Sequence, residues 1–188
     1  MADSLRGQFL IAGKSLRDPN FFRSVVLMLE HEAGGAIGIV VNRPASAKVS
    51  TALGGQVELA EEVDRLYVGG PVHSTALFVL HNCHSLDGDS RQVLPGLFVS
   101  TTAAVLEAVV QRAAAEDATL KFRIVAGCAG WGAGQLEGEI GRADWHRQPA
   151  TAELVFDPDV HELWSQLLRR SYQESSILPN LVGDPTLN

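Results

Sequence analysis

Ser24-Val25-Val26-Leu27-Met28-Leu29, then Gly34-Gly35, then Ala36-Ile37-Gly38-Ile39-Val40-Val41 is the most telling stretch of this chain. Both runs are aliphatic and rich in β-branched residues, which suit a pleated, buried surface, and the glycine pair supplies the turn between them. The stretch therefore reads as an antiparallel hairpin. Upstream, Gln8-Phe9-Leu10-Ile11-Ala12 reads as a buried strand. It is separated from the hairpin by Asp18-Pro19-Asn20, where Asp and Asn can bond their own backbone and Pro fixes φ, so a turn is expected there. Three strands in succession with no helix between them point to a sheet built by meandering.

Downstream the pattern changes. After Pro44 the chain is polar and small, then acidic through Asp64, which predicts a loop with a short surface helix. Leu66-Tyr67-Val68 and Ala76-Leu77-Phe78-Val79-Leu80 read as strands, residues 81–91 as a polar loop, and residues 97–100 as another strand. Thr101 or Thr102 then caps a helix in which Leu106, Val109, Val110 and Ala113 share one face. A strand is predicted over 121–126, a glycine-rich loop after it, a short helix from Gln135, and a last strand over 151–156. Asp157-Pro158 is a helix start, and Val160, Leu163, Trp164, Leu167 and Leu168 form its apolar stripe. The expected organisation is one domain over residues 1–172 and an extended tail over 173–188.

Composition bounds the function classes. The chain has 188 residues, 46% of them hydrophobic and 20% charged, which is ordinary for one globular domain and excludes wholesale disorder. The apolar run near the start ends at Lys14, too soon for a membrane span of about 20 residues, so no membrane association and a cytoplasmic location are expected. With two cysteines, Cys83 and Cys128, no disulfide framework is expected. The net charge of −7 opposes binding to nucleic acid, whose affinity for proteins comes mainly from Lys and Arg. The balance is uneven, because residues 1–50 hold six Lys/Arg against four Asp/Glu. A local anion site there stays open.

Three blocks together resemble the YqgE/AlgH family of bacterial proteins: Asp18-Pro19-Asn20-Phe21-Phe22-Arg23-Ser24 running on to Asn42-Arg43-Pro44, then Tyr67-Val68-Gly69-Gly70-Pro71-Val72, then residues 127–139 with Gly-Trp-x-x-Gly-Gln-Leu-Glu at 130–137. The resemblance implies an α+β, layered α/β domain with a mixed, strongly curved, partly barrel-like sheet surrounded by helices. It brings no established reaction, and some members carry a transcriptional-regulator label. This chain departs from the family at Cys128, where Tyr is frequent, and at Ala133, where Pro is frequent.

Candidate ligand-binding residues fall in two groups. Gly130, Trp131, Gly132, Gly134 and Gln135 belong to a strand, glycine loop and helix start, an arrangement whose converging N–H groups can cradle an anion. A purely structural turn is the other reading, since no Gly-Lys-Ser/Thr follows and no dinucleotide fingerprint is complete. Arg23, Asn42 and Arg43 cluster at the ends of the hairpin, where arginines could hold a carboxylate or phosphate, or pair with neighbouring carboxylates. His73, His81, Cys83, His84 and Cys128 invite a zinc test, but their spacing matches no usual zinc pairing, so no metal and no cofactor are expected. No catalytic motif is complete, and no residue is assigned a catalytic role. The leading expectation is a non-catalytic regulatory or protein-interaction domain. The alternative is a small-molecule-binding protein or enzyme acting on an anionic metabolite or nucleotide through the glycine-rich loop. A protein partner and a small anionic ligand are both open, as is the oligomeric state.

Overall fold

The computed structural model describes residues 4–55, 58–61 and 63–177. In chain order the elements are β1 (Gln8–Ala12), β2 (Val25–Glu32), β3 (Gly35–Val40), α1 (Val49–Ala52), β4 (Leu66–Val68), β5 (Val72–His81), a 3-10 helix (His84–Asp89), β6 (Arg91–Leu94), β7 (Leu97–Ser100), α2 (Ala103–Ala114), β8 (Phe122–Gly132), α3 (Gln135–Gly141), β9 (Trp145–Pro149), α4 (Ala152–Val155) and α5 (Val160–Ile177). The strands join in one strongly curled, half-barrel sheet of order β6-β7-β5-β8-β3-β2-β1-β9, with β4 alongside β8.

The β1-β2-β3 meander is antiparallel throughout, as the aliphatic runs and the glycine turn predict. Its strands are apolar on both faces because both faces are covered. Phe9 and Ile11 of β1, with Val25 and Leu27 of β2, enter one core cluster together with Leu163 and Leu167 of α5. Leu10 and Ala12, with Val26 and Met28, enter a second cluster with Leu136 of α3 and the indoles of Trp131 and Trp145. The period of two along each strand divides the residues between the two cores. A β-bulge at Leu29, between Met28 and Glu30, shifts the β2-β3 register by one. Leu29, two residues along, lies on the same core as Leu27, and past the bulge Glu30 opposes Ile37.

β8 is the spine of the molecule. Its first half pairs antiparallel with the end of β5 and parallel with β4, and its second half pairs with β3, so that Gly38, Ile37, Ala36 and Gly35 oppose Ala129, Gly130, Trp131 and Gly132. α2 covers the β5-β8 side through Val105, Val109 and Val110, and its cap is Thr102, whose side chain accepts from the Val105 N–H. Among the described residues no helix is long and apolar enough to cross a membrane.

Four sequence expectations are corrected. The glycine segment is not a loop: β8 continues through Gly132, because Gly130 and Gly132 pair with Ile37 and Gly35 of β3 and the ladder satisfies their backbone groups. Residues 151–156 are not a strand. Thr151 Oγ1 accepts the Leu154 N–H and turns this segment into α4, while the last strand, β9, lies just before it and pairs with β1. Arg91–Leu94, counted partly as loop, is edge strand β6 against β7. Finally, α5 runs five residues beyond 172, since neither Gly nor Pro interrupts the chain there and an established helix propagates at little cost. The rest of the expected tail, 178–188, lies outside the described residues.

Candidate functional site

Each expected site residue has a definite place. Arg23, at φ 53°, ends the turn that precedes β2. Asn42, two residues past β3, accepts the Val25 N–H at 2.8 Å and donates to the Arg23 carbonyl at 3.0 Å. Arg43 donates to the carbonyls of Asn20 at 2.6 Å and Phe22 at 3.3 Å. The two side chains thus lace the 18–24 turn to the end of the hairpin. Among the described residues neither arginine has a carboxylate partner: the Arg23 guanidinium lies over the rings of Phe22 and Trp164 at 5.1 and 5.3 Å. The hairpin ends are held by backbone carbonyls and aromatic faces, not by an arginine-carboxylate network.

At the glycine segment the carboxylate is the protein's own. Gly134, at φ 73°, caps the seven-residue α3. This short helix places Glu139 one turn along, where its Oε2 accepts the indole N–H of Trp131 at 2.9 Å and of Trp145 at 2.8 Å. Gln135 accepts the Gly132 N–H and donates to the other Glu139 oxygen at 2.9 Å. The two indoles meet edge to face, and Phe21 stacks on Trp131 at 6.0 Å. Both tryptophans are buried, so the Glu139 carboxylate satisfies two N–H groups that would otherwise lack partners. Nearby, the Nδ1 of His31 accepts the Leu5 N–H and its Nε2 donates to Glu137 at 2.9 Å. Three donors that the sequence offered to an external anion, the Trp131 indole, the Gly132 N–H and the Gln135 amide, are already occupied.

What this region leaves open is a groove of about 450 Å³ beside it, lined by Glu30, Glu32 and the hairpin turn on one wall and by Val72, Gly130 and Trp131 on the other. Ile37 shares the β3 face of Ile39, but Ile39 is fully buried whereas Ile37 is 38% exposed, because the face emerges from the core at this end. Val72, 37% exposed, opens β5 opposite Cys128. Gly130, with no side chain, leaves the space between Ile37 and Val72 unfilled: a Cβ there would stand 3.7 Å from Val72. Glu30 is paired with Arg91 at 2.5 Å, while Glu32 has no ion pair among the described residues. The groove is apolar at its floor and acidic at its rim.

A family model described as AlgH-like matches residues 9–176. The chain belongs to the AlgH-like family. A UPF0301 protein of Chlorobaculum tepidum is 34% identical over 182 residues, covering 97% of this chain and 95% of its own. One from Myxococcus xanthus is 39% identical over 163 residues, 85% and 87% of the two chains. The solution structure of the AlgH protein from Pseudomonas aeruginosa superposes with a TM-score of 0.74 at 32% identity, covering 98% of this chain and 97% of that one. The AlgH-like half-barrel is thus shared, and these relatives bring no specific function with them.

A second cluster in this AlgH-like chain was only half visible in the sequence. The zinc candidates separate: His81, fully buried at the end of β5, accepts the Cys83 N–H through Nδ1 and meets Ser90 through Nε2 at 2.8 Å, while His73 lies at the opposite end of the strand. Among the described residues no group of three His, Cys, Asp or Glu side chains could hold a metal ion. Cys83 has other company. Its Sγ lies 2.6 Å from Arg112 Nη1 and 3.0 Å from Ser85 Oγ. Arg112 is in turn held by Asp117, whose Oδ2 accepts from Nε at 2.9 Å and Nη2 at 2.7 Å. Burial pushes the Cys83 thiol up, but the Ser85 hydrogen bonds and the Arg112 guanidinium outweigh it and hold the thiol below its ordinary pKa. The Cys128 thiol, buried in the core, is pushed up. Nothing in the sequence links Cys83 to Arg112, 29 residues away on α2.

Proposed function

We propose that this chain is a non-catalytic protein-interaction domain whose docking surface is the groove between β3, β5 and β8. The carrying observation is the exposure of Ile37 and Val72 side by side across Gly130, beneath the carboxylates of Glu30 and Glu32. An apolar floor with an acidic rim fits an extended partner segment that presents an aliphatic side chain next to Lys or Arg: burial supplies affinity and the charges set partner choice and on-rate. The occupied donors around Glu139 weigh against the alternative of an anionic metabolite at the glycine segment. A regulatory role, in this reading, is exercised through a protein partner, in keeping with the net charge of −7.

Selection of displayed random peptides on the full chain tests this. Enriched peptides should carry an aliphatic residue beside a basic one, and Ile37→Asp should weaken their binding at least about tenfold, the loss of one buried aliphatic contact of about 1.5–3 kcal/mol. Glu32→Lys should slow association, most strongly at low salt. Selection of no such motif, or binding that Ile37→Asp leaves intact, would overturn the reading.

A further inference from the structure

We propose that Cys83 is a redox-modification site, a thiolate nucleophile that reacts with hydrogen peroxide in the cavity it shares with Arg112. The cavity, of about 330 Å³, is lined by Asn82, Cys83, His84, Ser85, Arg112 and Thr119. It is polar and lies away from the docking groove, so this site does not depend on the reading given above.

Three independent features meet there. The sulfur has a fixed cation at 2.6 Å, the guanidinium of Arg112, and that cation is clamped from behind by Asp117. A hydroxyl, Ser85, lies within hydrogen-bond distance of the same sulfur and donates to it once the thiol is ionised. The space in front of these groups is open and far larger than peroxide needs. A cation and a hydroxyl at a sulfur stabilise the thiolate, which is the reactive form, and account for the thiol's lowered pKa. Cys128 has none of these partners and sits within an apolar core cluster.

The step balances without a further reagent. The Cys83 thiolate attacks one oxygen of hydrogen peroxide, an S–O bond forms as the O–O bond breaks, sulfur is oxidised by two electrons and the peroxide oxygens are reduced. The leaving hydroxide departs beside the Arg112 guanidinium and takes a proton from the buffer, leaving water. The product is a sulfenic acid. A small thiol then attacks its sulfur to give a mixed disulfide and water. Cys128 cannot take that thiol's place: along β8 it lies six residues from Phe122, the partner of His81, roughly 20 Å away at about 3.3 Å per residue, whereas a disulfide requires Cα atoms within about 7 Å. Oxidation also removes the negative charge facing Arg112, so the state of the sulfur bears on how the end of α2 is tied to the segment after β5.

The test uses the full chain and hydrogen peroxide, with a dimedone trap read by intact-mass and peptide mass spectrometry. Wild type should gain one adduct, at Cys83, and its rate should rise with pH through a midpoint below that of an ordinary cysteine, about 8.5. Arg112→Met, checked for folding by circular dichroism, should slow labelling at least about threefold, because each unit of raised pKa cuts the thiolate tenfold while restoring part of its nucleophilicity. Arg112→Lys should recover part of the rate, and Cys128→Ser should leave it unchanged. The wild-type pH profile needs no variant. A midpoint at or above about 8.5, labelling no faster than a free cysteine, or an adduct on Cys128 alone would each overturn the proposal.

Discussion

Asp117 shows how much a single half-buried side chain can organise. Its two oxygens accept from Arg112 on one side and from the N–H and hydroxyl of Thr119 on the other. The Thr119 hydroxyl first, then the Arg112 guanidinium, hold its carboxyl at about 2, below the ordinary 3.8. A depressed carboxylate stabilises the fold above its unfolded pKa and loses that contribution as pH falls from about 3.8 toward 2. The expected outcome is an Asp117 carboxyl resonance that titrates in NMR near pH 2, and a Cys83 labelling rate whose pH midpoint moves up in Asp117→Asn because Arg112 is no longer fixed. A midpoint near 3.8 would show that the pair does not form in solution. Glu139 works by similar local means, but for two indoles, and its role was invisible in the sequence because only folding brings Trp145 to it.

Among the elements, the β2-β3 hairpin is the most exactingly built. Gly35 has φ 140°, and a Cβ there would lie 2.3 Å from the Trp131 carbonyl, which is rigid backbone. Gly35→Ala should therefore cost more than about 2 kcal/mol, read as a fall in the urea midpoint, and should disturb the docking groove with it. The same substitution at Gly34, whose Cβ would meet nothing within 4 Å, serves as the matched control and should change stability far less. The hairpin, the α2 face and the α5 stripe were legible because each has a period of its own, two along a strand and 3.6 along a helix. β9 and α4 were misread for a physical reason. Trp145-His146-Arg147-Gln148-Pro149 is too polar to announce a strand, yet it pairs with β1 while Gln148 is satisfied by the Leu167 carbonyl and Ser171 on α5. The apolar run after it is governed by one cap, Thr151.

Across the molecule, Arg123 ties the layers together. It is 4% exposed on β8, donates to the carbonyls of Val41 beyond β3 and Asp157 before α5, and its guanidinium lies 4.7 Å from the Tyr67 ring. Arg123→Met would leave two carbonyls without their donor, a loss of about 2 kcal/mol or more and a fall in Tm of roughly 4–8 °C, measurable by calorimetry. An unchanged Tm would mean that water or repacking replaces the guanidinium. The sequence by itself determined the meander, the amphipathic helices, the absence of a complete catalytic motif and the family, because these depend on residue type and spacing within short windows. Tertiary structure alone decided the rest. It carried β8 through Gly130 and Gly132 by giving each a partner on β3, occupied the Trp131 indole and the Gln135 amide with Glu139, opened a groove where Ile37 leaves the core, and set Arg112 against Cys83. Each of these depends on which distant segments the curled sheet brings within a few ångströms, and contact between residues far apart in the chain leaves no period to read.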